Sequence, residues 1–233
     1  MGSAPIKVDL QTAYFITGTD TGVGKTLVSC ALLQAFAVTG RSVVGMKPVA
    51  SGCAPSGHGS PCEDVVLLRA SSTIDAPPEW INPYALCAPV APHLAAQQEN
   101  IRLELAPMVN AFQQLQRLAD VVIVEGIGGW MVPFNDLQTS ADLAQQLNLP
   151  VILVVDIRLG CLNHALLTAQ AIQAQGLPLH GWVANHLDPA MALFEENIHA
   201  LKTRLAAPLL GIVPHLASRQ SLVPPFLDIA LLG

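Results

Sequence analysis

The chain has 233 residues, 52% of them hydrophobic and only 12% charged, a composition that supplies one large core more readily than two small ones. A formal charge of -6, from 11 basic and 17 acidic residues, offers no general field for a phosphate backbone, and no local basic patch appears, so a nucleic-acid partner is excluded. Apolar runs such as 150–155 are cut by Asp156, Arg158 and His164 well before the ~20 residues that a membrane span needs, which excludes a membrane partner.

Met1-Gly2-Ser3 lacks a basic stretch followed by an apolar one, and resembles a cloning remnant more than a signal peptide. Residues 1–10 are expected to form a flexible N-terminal extension and residues 11–233 a single domain. The five cysteines, Cys30, Cys53, Cys62, Cys87 and Cys161, contain no Cys-x-x-Cys pair and are odd in number, which fits reduced thiols and a cytoplasmic location.

From residue 13 onward, short runs rich in Val and Ile alternate with helix-length stretches. The runs are apolar throughout, as parallel strands covered on both faces are. The pattern predicts an α/β fold, a mostly parallel central sheet with helices on both faces. Strands are predicted over 13–17, 42–46, 120–125, 151–156, 180–185 and 208–213. Helical spacing of apolar residues predicts helices over 25–38, 64–70, 103–118, 140–147, 163–175 and 191–205. Between the second and third strands, the Gly- and Pro-rich stretch 51–92 reads as one long loop, either functional or disordered. Ligands of open parallel sheets bind beyond the carboxyl ends of the strands, so the residues after each strand carry the functional argument.

After the first strand comes Gly18-Thr19-Asp20-Thr21-Gly22-Val23-Gly24-Lys25-Thr26, a phosphate-binding loop (P-loop) with five residues between its outer glycines instead of four. Glycines let backbone N–H groups converge on phosphate, the helix that follows adds positive potential, Lys25 neutralises β- and γ-phosphate oxygens, and Thr26 ligates Mg2+. The alternative is a Gly-rich turn with a solvated lysine. After the second strand, Lys47 in Lys47-Pro48-Val49-Ala50-Ser51-Gly52 either holds an anionic substrate or is an ordinary lysine before a turn. Asp64 is either a second carboxylate for Mg2+ bound to triphosphate or only an acid at a helix start. Glu125 ends the third strand and opens Glu125-Gly126-Ile127-Gly128-Gly129-Trp130, where a Walker-B-type acid is expected. Asn185-His186-Leu187-Asp188 is similar to the guanine-binding Asn-Lys-x-Asp pattern, with histidine in place of lysine. It reads either as a base-edge contact without guanine selectivity or as a plain turn before Pro189.

Taken together, 18–26, 47–52, Asn82-Pro83-Tyr84, Val124-Glu125-Gly126 with Gly128-Gly129-Trp130, Leu159-Gly160-Cys161-Leu162-Asn163-His164 and Gly181-Trp182-Val183-Ala184-Asn185 resemble the dethiobiotin synthetase family from about residue 13 onward. The resemblance implies a P-loop NTPase-like fold and an ATP-dependent carbon–nitrogen ligase that closes the ureido ring of dethiobiotin from 7,8-diaminopelargonate and CO2. It implies that Lys47 and Lys25 are catalytic, that Thr26, Asp64 and Glu125 hold Mg2+, and that Thr21, Lys47, Ser51 and Asn163 contact substrate. ATP would face Gly22, Val23, Gly24, Lys25, Thr26, Leu27, Asp64, Glu125, Gly126, Ile127 and Gly128, with Asn185, His186, Pro214, His215 and Leu216 around adenine. A homodimer is implied, in which the segment around Asn163 reaches the partner's substrate. The loop 54–61 has no counterpart in the family pattern. Two other readings share the P-loop: a switch or partitioning ATPase, which usually carries a lysine early in the loop where this chain has Thr19, Asp20 and Thr21, and an amidoligase of a larger cofactor precursor, which needs an ammonia source.

Overall fold

A computed structural model of the chain describes residues 12–53, 62–216 and 226–232; the expected extension 1–10 and the loop 54–61 lie outside them. In chain order the strands are β1 (Thr12–Gly18), β2 (Val43–Met46), β3 (Val49–Ser51), β4 (Tyr84–Leu86), β5 (Val121–Glu125), β6 (Val151–Asp156), β7 (Leu179–Asn185) and β8 (Leu209–Val213). The helices are α1 (Lys25–Val38), α2 (Glu63–Ser71), α3 (Pro78–Ile81), α4 (Pro92–Gln98), α5 (Leu105–Gln116), α6 (Ser140–Leu147), α7 (Cys161–Ala174) and α8 (Phe194–Lys202), with a short 3-10 turn at Ile229–Leu232.

Six strands form one parallel sheet in the order β2-β5-β1-β6-β7-β8, and β3 pairs with β4 in a separate parallel ladder. Alternation along each strand feeds two covered faces. Phe15, Val122 and Val124 join the apolar cluster closed by Met108 and Phe112 of α5 and by Leu143 of α6. Tyr14, Ile16, Val121 and Ile123 point the other way, onto Val28, Leu32 and Phe36 of α1. Leu153, Val155 and Trp182 pack against Ala165 and Ala169 of α7 and Ile198 and Leu201 of α8. Burial on both sides is why these strands read as unbroken apolar runs.

All six predicted strands belong to this sheet, and α1 and α6 occupy the predicted residues. Within the stretch 51–92 the predicted helix 64–70 is present as α2, but the remainder is not simply loop: it contains α3 and β4. Elements of three or four residues, such as β3, α3 and β4, are too short to display a period, so only their turn-forming prolines stood out. α8 is shorter than predicted, beginning at Phe194 and not at residue 191. The expectation of five reduced thiols is corrected as well. β3 ends beside the start of α2, which brings Cys53 and Cys62 to a Cα separation of 4.5 Å, and the two are joined in a disulfide. Cys30, Cys87 and Cys161 are free.

Candidate active site

β1 ends at Gly18 in the middle of the sheet, and the backbone turns through Thr19–Gly24 into α1. Gly22 and Gly24 have φ of 79° and 95°, left-handed values that side chains rarely adopt. At Gly24 space forbids a side chain too, because a Cβ there would lie 2.0 Å from Asn185 Nδ2. Lys25 is 6% exposed. Its Nζ donates to Asp20 O (3.0 Å) and Gly128 O (2.6 Å), and so bridges the P-loop to the glycine turn after β5. Burial and the neighbouring charge of Lys47 lower its pKa to about 8.

Beside it, the β2–β5 ladder ends with Met46 opposite Val124, so Lys47, just past β2, lies next to Glu125, the last residue of β5. Lys47 is 3% exposed and Glu125 fully buried. Lys47 Nζ donates to Glu125 Oε1 (2.5 Å) and Gly126 O (3.2 Å), and lies 3.0 Å from Asp64 Oδ2. Burial pushes the Lys47 pKa down, but the two carboxylates outweigh it and the net direction is up. Burial raises the Asp64 carboxyl, and Lys47 with the Thr26 hydroxyl outweighs that too, so its pKa falls. Asp64 also sits in the first turn of α2, where a carboxylate meets the positive end of the helix. Thr26 Oγ1 is 2.9 Å from both Asp64 Oδ1 and Glu125 Oε1.

These groups open onto one cavity of about 360 Å³. Of the residues singled out in the sequence, it is lined by Thr21, Gly22, Gly24, Lys25, Thr26, Leu27, Lys47, Ser51, Asp64, Glu125, Ile127, Gly128, Asn185, Pro214, His215 and Leu216. Four others stand outside the lining. Val23 is buried, and its carbonyl accepts from Asn185 Nδ2 (2.8 Å). Gly126 donates its N–H to Ile16 O and accepts from Lys47. The His186 ring stacks on Phe194, ring centroids 3.9 Å apart. Asn163 is exposed on the first turn of α7. Asn185 is buried with its Nδ2 committed to Val23 and its Oδ1 unpartnered among the described residues.

Sequence reasoning missed Cys30, Leu67 and Leu187, which also line the cavity. Cys30 and Leu67 lie three residues after Leu27 and Asp64 on their helices, so helical spacing from the two predicted site residues was the signal that pointed to them. The glycine turn is itself braced by Ser140 at the start of α6, whose Oγ donates to Trp130 O and accepts from Val132 N.

Residues 12–221 match the AAA domain family. The chain is 54% identical over 221 residues to the ATP-dependent dethiobiotin synthetase BioD of Nitrosospira multiformis, covering 94% of this chain and 96% of the relative. It is 54% identical over 205 residues to that of Aromatoleum aromaticum (88% and 91% covered) and 48% over 222 residues to that of Xylella fastidiosa (95% of each). Among solved structures, the cell division protein MinD of Aquifex aeolicus superposes with a TM-score of 0.54 at 13% identity, over 88% of this chain and 83% of that one. The cell division protein FtsY of Thermotoga maritima gives 0.51 at 18% identity, over 95% and 68%. At these identities the two structures establish the P-loop NTPase-like fold and nothing about activity.

Proposed function

The chain belongs to the ATP-dependent dethiobiotin synthetase family, and from that premise we propose how its cavity carries the reaction. The protein is an ATP-dependent carbon–nitrogen ligase that forms the ureido ring of dethiobiotin from 7,8-diaminopelargonate, CO2 and ATP. One amine of the diamine takes up CO2 as a carbamate. The carbamate oxygen attacks the γ-phosphorus of ATP, ADP departs, and the neighbouring amine captures the carbamic-phosphoric anhydride, expelling phosphate.

One observation carries the assignment of residues: two buried lysines, Lys25 at the start of α1 and Lys47 just after β2, open onto the same cavity. In our reading Lys47 steadies the carbamate and the charge developing on it, and Lys25 leaves its carbonyl partners to screen the transferred phosphoryl group. Thr21 and Ser51 contact the diamine. The unpartnered Asn185 Oδ1 suits the exocyclic amino group of adenine, which donates, with Leu187, Pro214, His215 and Leu216 around the base.

Thr26, Asp64 and Glu125 offer hard oxygen ligands, and Glu125 Oε2 is buried without a partner among the described residues, a donor set that fits Mg2+. If bound there, the ion would be held by the Thr26 hydroxyl and the Asp64 and Glu125 carboxylates and would neutralise phosphate charge.

We read the expected domain, 11–233, as one unit, since among the described residues β6 feeds all three apolar clusters and β1 and β5 feed two of them. No helix among the described residues is long and apolar enough to cross a membrane, and consumption of ATP supports a cytoplasmic enzyme. Asn163, exposed and outside its own cavity, supports a homodimer in which this residue completes the second subunit's substrate site.

The test is incubation with Mg-ATP, 7,8-diaminopelargonate and isotopically labelled bicarbonate, read by mass spectrometry. Labelled dethiobiotin with one phosphate per product is expected. Substrate-independent ATP hydrolysis without labelled product would overturn the reading.

A further inference from the structure

Lys47 owes its position to a segment that no part of the proposed chemistry uses. The β2–β5 ladder ends at Met46 opposite Val124, one residue short of it, and Pro48 brings no N–H to anchor the next peptide. The backbone of Lys47 is instead held from the corner between α3 and β4. Its N–H donates to Ile81 O (2.8 Å), and its carbonyl accepts from Asn82 Nδ2 (2.7 Å). The second proton of the same amide goes to Tyr84 O (3.1 Å), while Tyr84 N–H donates to Pro48 O (3.2 Å). One side-chain amide thus ties Lys47 to the first residue of β4, at the step where the chain leaves the main sheet for the small one. Among the described residues the Lys47 carbonyl accepts from Asn82 alone.

We propose that Asn82 is a positioning residue for Lys47: by holding the Lys47 carbonyl and the start of β4 together, it fixes where the ammonium group meets the carbamate. The proposal rests on the role given to Lys47 above. A donor amide is required, since a carboxylate of the same shape would set acceptor against two carbonyls. Catalytic groups tolerate little displacement, and a misplacement of about 1 Å costs on the order of 100-fold in rate. ATP is gripped from the P-loop, which Asn82 does not touch, so nucleotide affinity is separable from turnover.

The experiment compares Asn82→Asp, Asn82→Ala, Lys47→Ala and Lys47→Arg, the last keeping the charge but not the reach, with the double variant Asn82→Ala/Lys47→Arg. Steady-state turnover, ATP affinity and thermal unfolding are measured for each. Both Asn82 variants are expected to fold and to bind ATP within a few-fold of the parent, with kcat lowered about 10- to 100-fold, Asn82→Asp the lower. The double variant is expected to turn over no more slowly than Lys47→Arg alone, because groups acting as a unit are not additive. Unchanged kcat in the Asn82 variants beside a dead Lys47→Ala overturns this proposal and leaves the role of Lys47 standing. Full turnover in Lys47→Ala overturns that role and the proposal with it. Additive losses in the double variant, or failure of both Asn82 variants to fold, make Asn82 a structural residue of the α3–β4 corner and overturn the proposal.

Discussion

Two lysines share one cavity and are held in opposite ways. Lys25 belongs to the continuous segment 18–26, and among the described residues its ammonium bonds two backbone carbonyls, Asp20 O of that segment and Gly128 O of the turn after β5, and no carboxylate. Lys47 is assembled from four separate segments, around residues 47, 64, 82 and 125, and its ammonium is enclosed by two carboxylates. The consequence is electrostatic. Burial prevails at Lys25 and lowers its pKa to about 8, whereas Glu125 and Asp64 prevail at Lys47 and raise it. The first lysine is a charge kept available for an incoming polyphosphate; the second is a charge secured in advance of substrate.

If that contrast is right, the two fail differently. Lys47→Ala is expected to have the largest effect, a loss of about 1,000-fold or more in kcat with ATP affinity within a few-fold, measured by product formation and by direct nucleotide titration. It also leaves Glu125 buried without its counter-charge, so part of the effect is expected in thermal stability. Lys25→Gln should strike both quantities, weakening ATP binding and lowering turnover by about 100-fold. Equal effects of the two substitutions on nucleotide affinity would erase the distinction between them.

The same contrast decides what the sequence revealed. The P-loop was legible because its glycines, lysine and threonine fall within nine residues between an apolar run and a helical one. Glu125 was legible for a related reason, as an acid ending a Val-rich strand before glycines. Lys47 and Asp64 could be suspected only from their place after a strand and at a helix start, since the contacts of Lys47 depend on β2 lying beside β5 and on the start of α2 reaching it, which spacing along the chain does not state. Asn82, four residues after the first residue of α3 and 35 from its partner, was visible only as part of the Asn82-Pro83-Tyr84 motif, which says nothing of its bond to Lys47. His186 shows the converse. Its place in a nucleotide-like motif was visible, but β7 and α8 converge so that its ring finds Phe194. The disulfide follows from the meeting of β3 and α2, which brings together two cysteines nine residues apart whose spacing matches no familiar motif.

A smaller effect is expected at Asn185, which joins the far wall of the cavity to the P-loop side. Asn185→Ala removes the donor on Val23 O and the acceptor proposed for adenine, so ATP affinity should fall about tenfold with kcat changed less. Competition with GTP sharpens the reading: loss of the acceptor should narrow any preference for the 6-amino group of adenine over the 6-oxo group of guanine. Equal loss for both nucleotides would assign Asn185 to bracing the loop alone.

The smallest effect separates the lysines without changing a residue. With a pKa of about 8, Lys25 in the free enzyme loses its proton as pH passes upward through that value, whereas Lys47, raised by its carboxylates, stays charged. ATP replaces two carbonyls with phosphate oxygens and so restores the proton to Lys25. Binding at pH 8.5 should therefore be about fourfold weaker than at pH 7 and accompanied by proton uptake, read by calorimetry in buffers of different ionisation enthalpy. The sign for stability is the reverse of a lysine that gains a partner. The folded-state pKa lies below the unfolded value near 10.5, so the cost of holding Lys25 charged is present below about pH 8 and fades as pH rises toward 10.5. Lys25→Gln should remove both the proton uptake and that rise in stability, while Lys47→Ala should leave the uptake at Lys25 in place. It should move its midpoint upward if the loss of the neighbouring positive charge prevails.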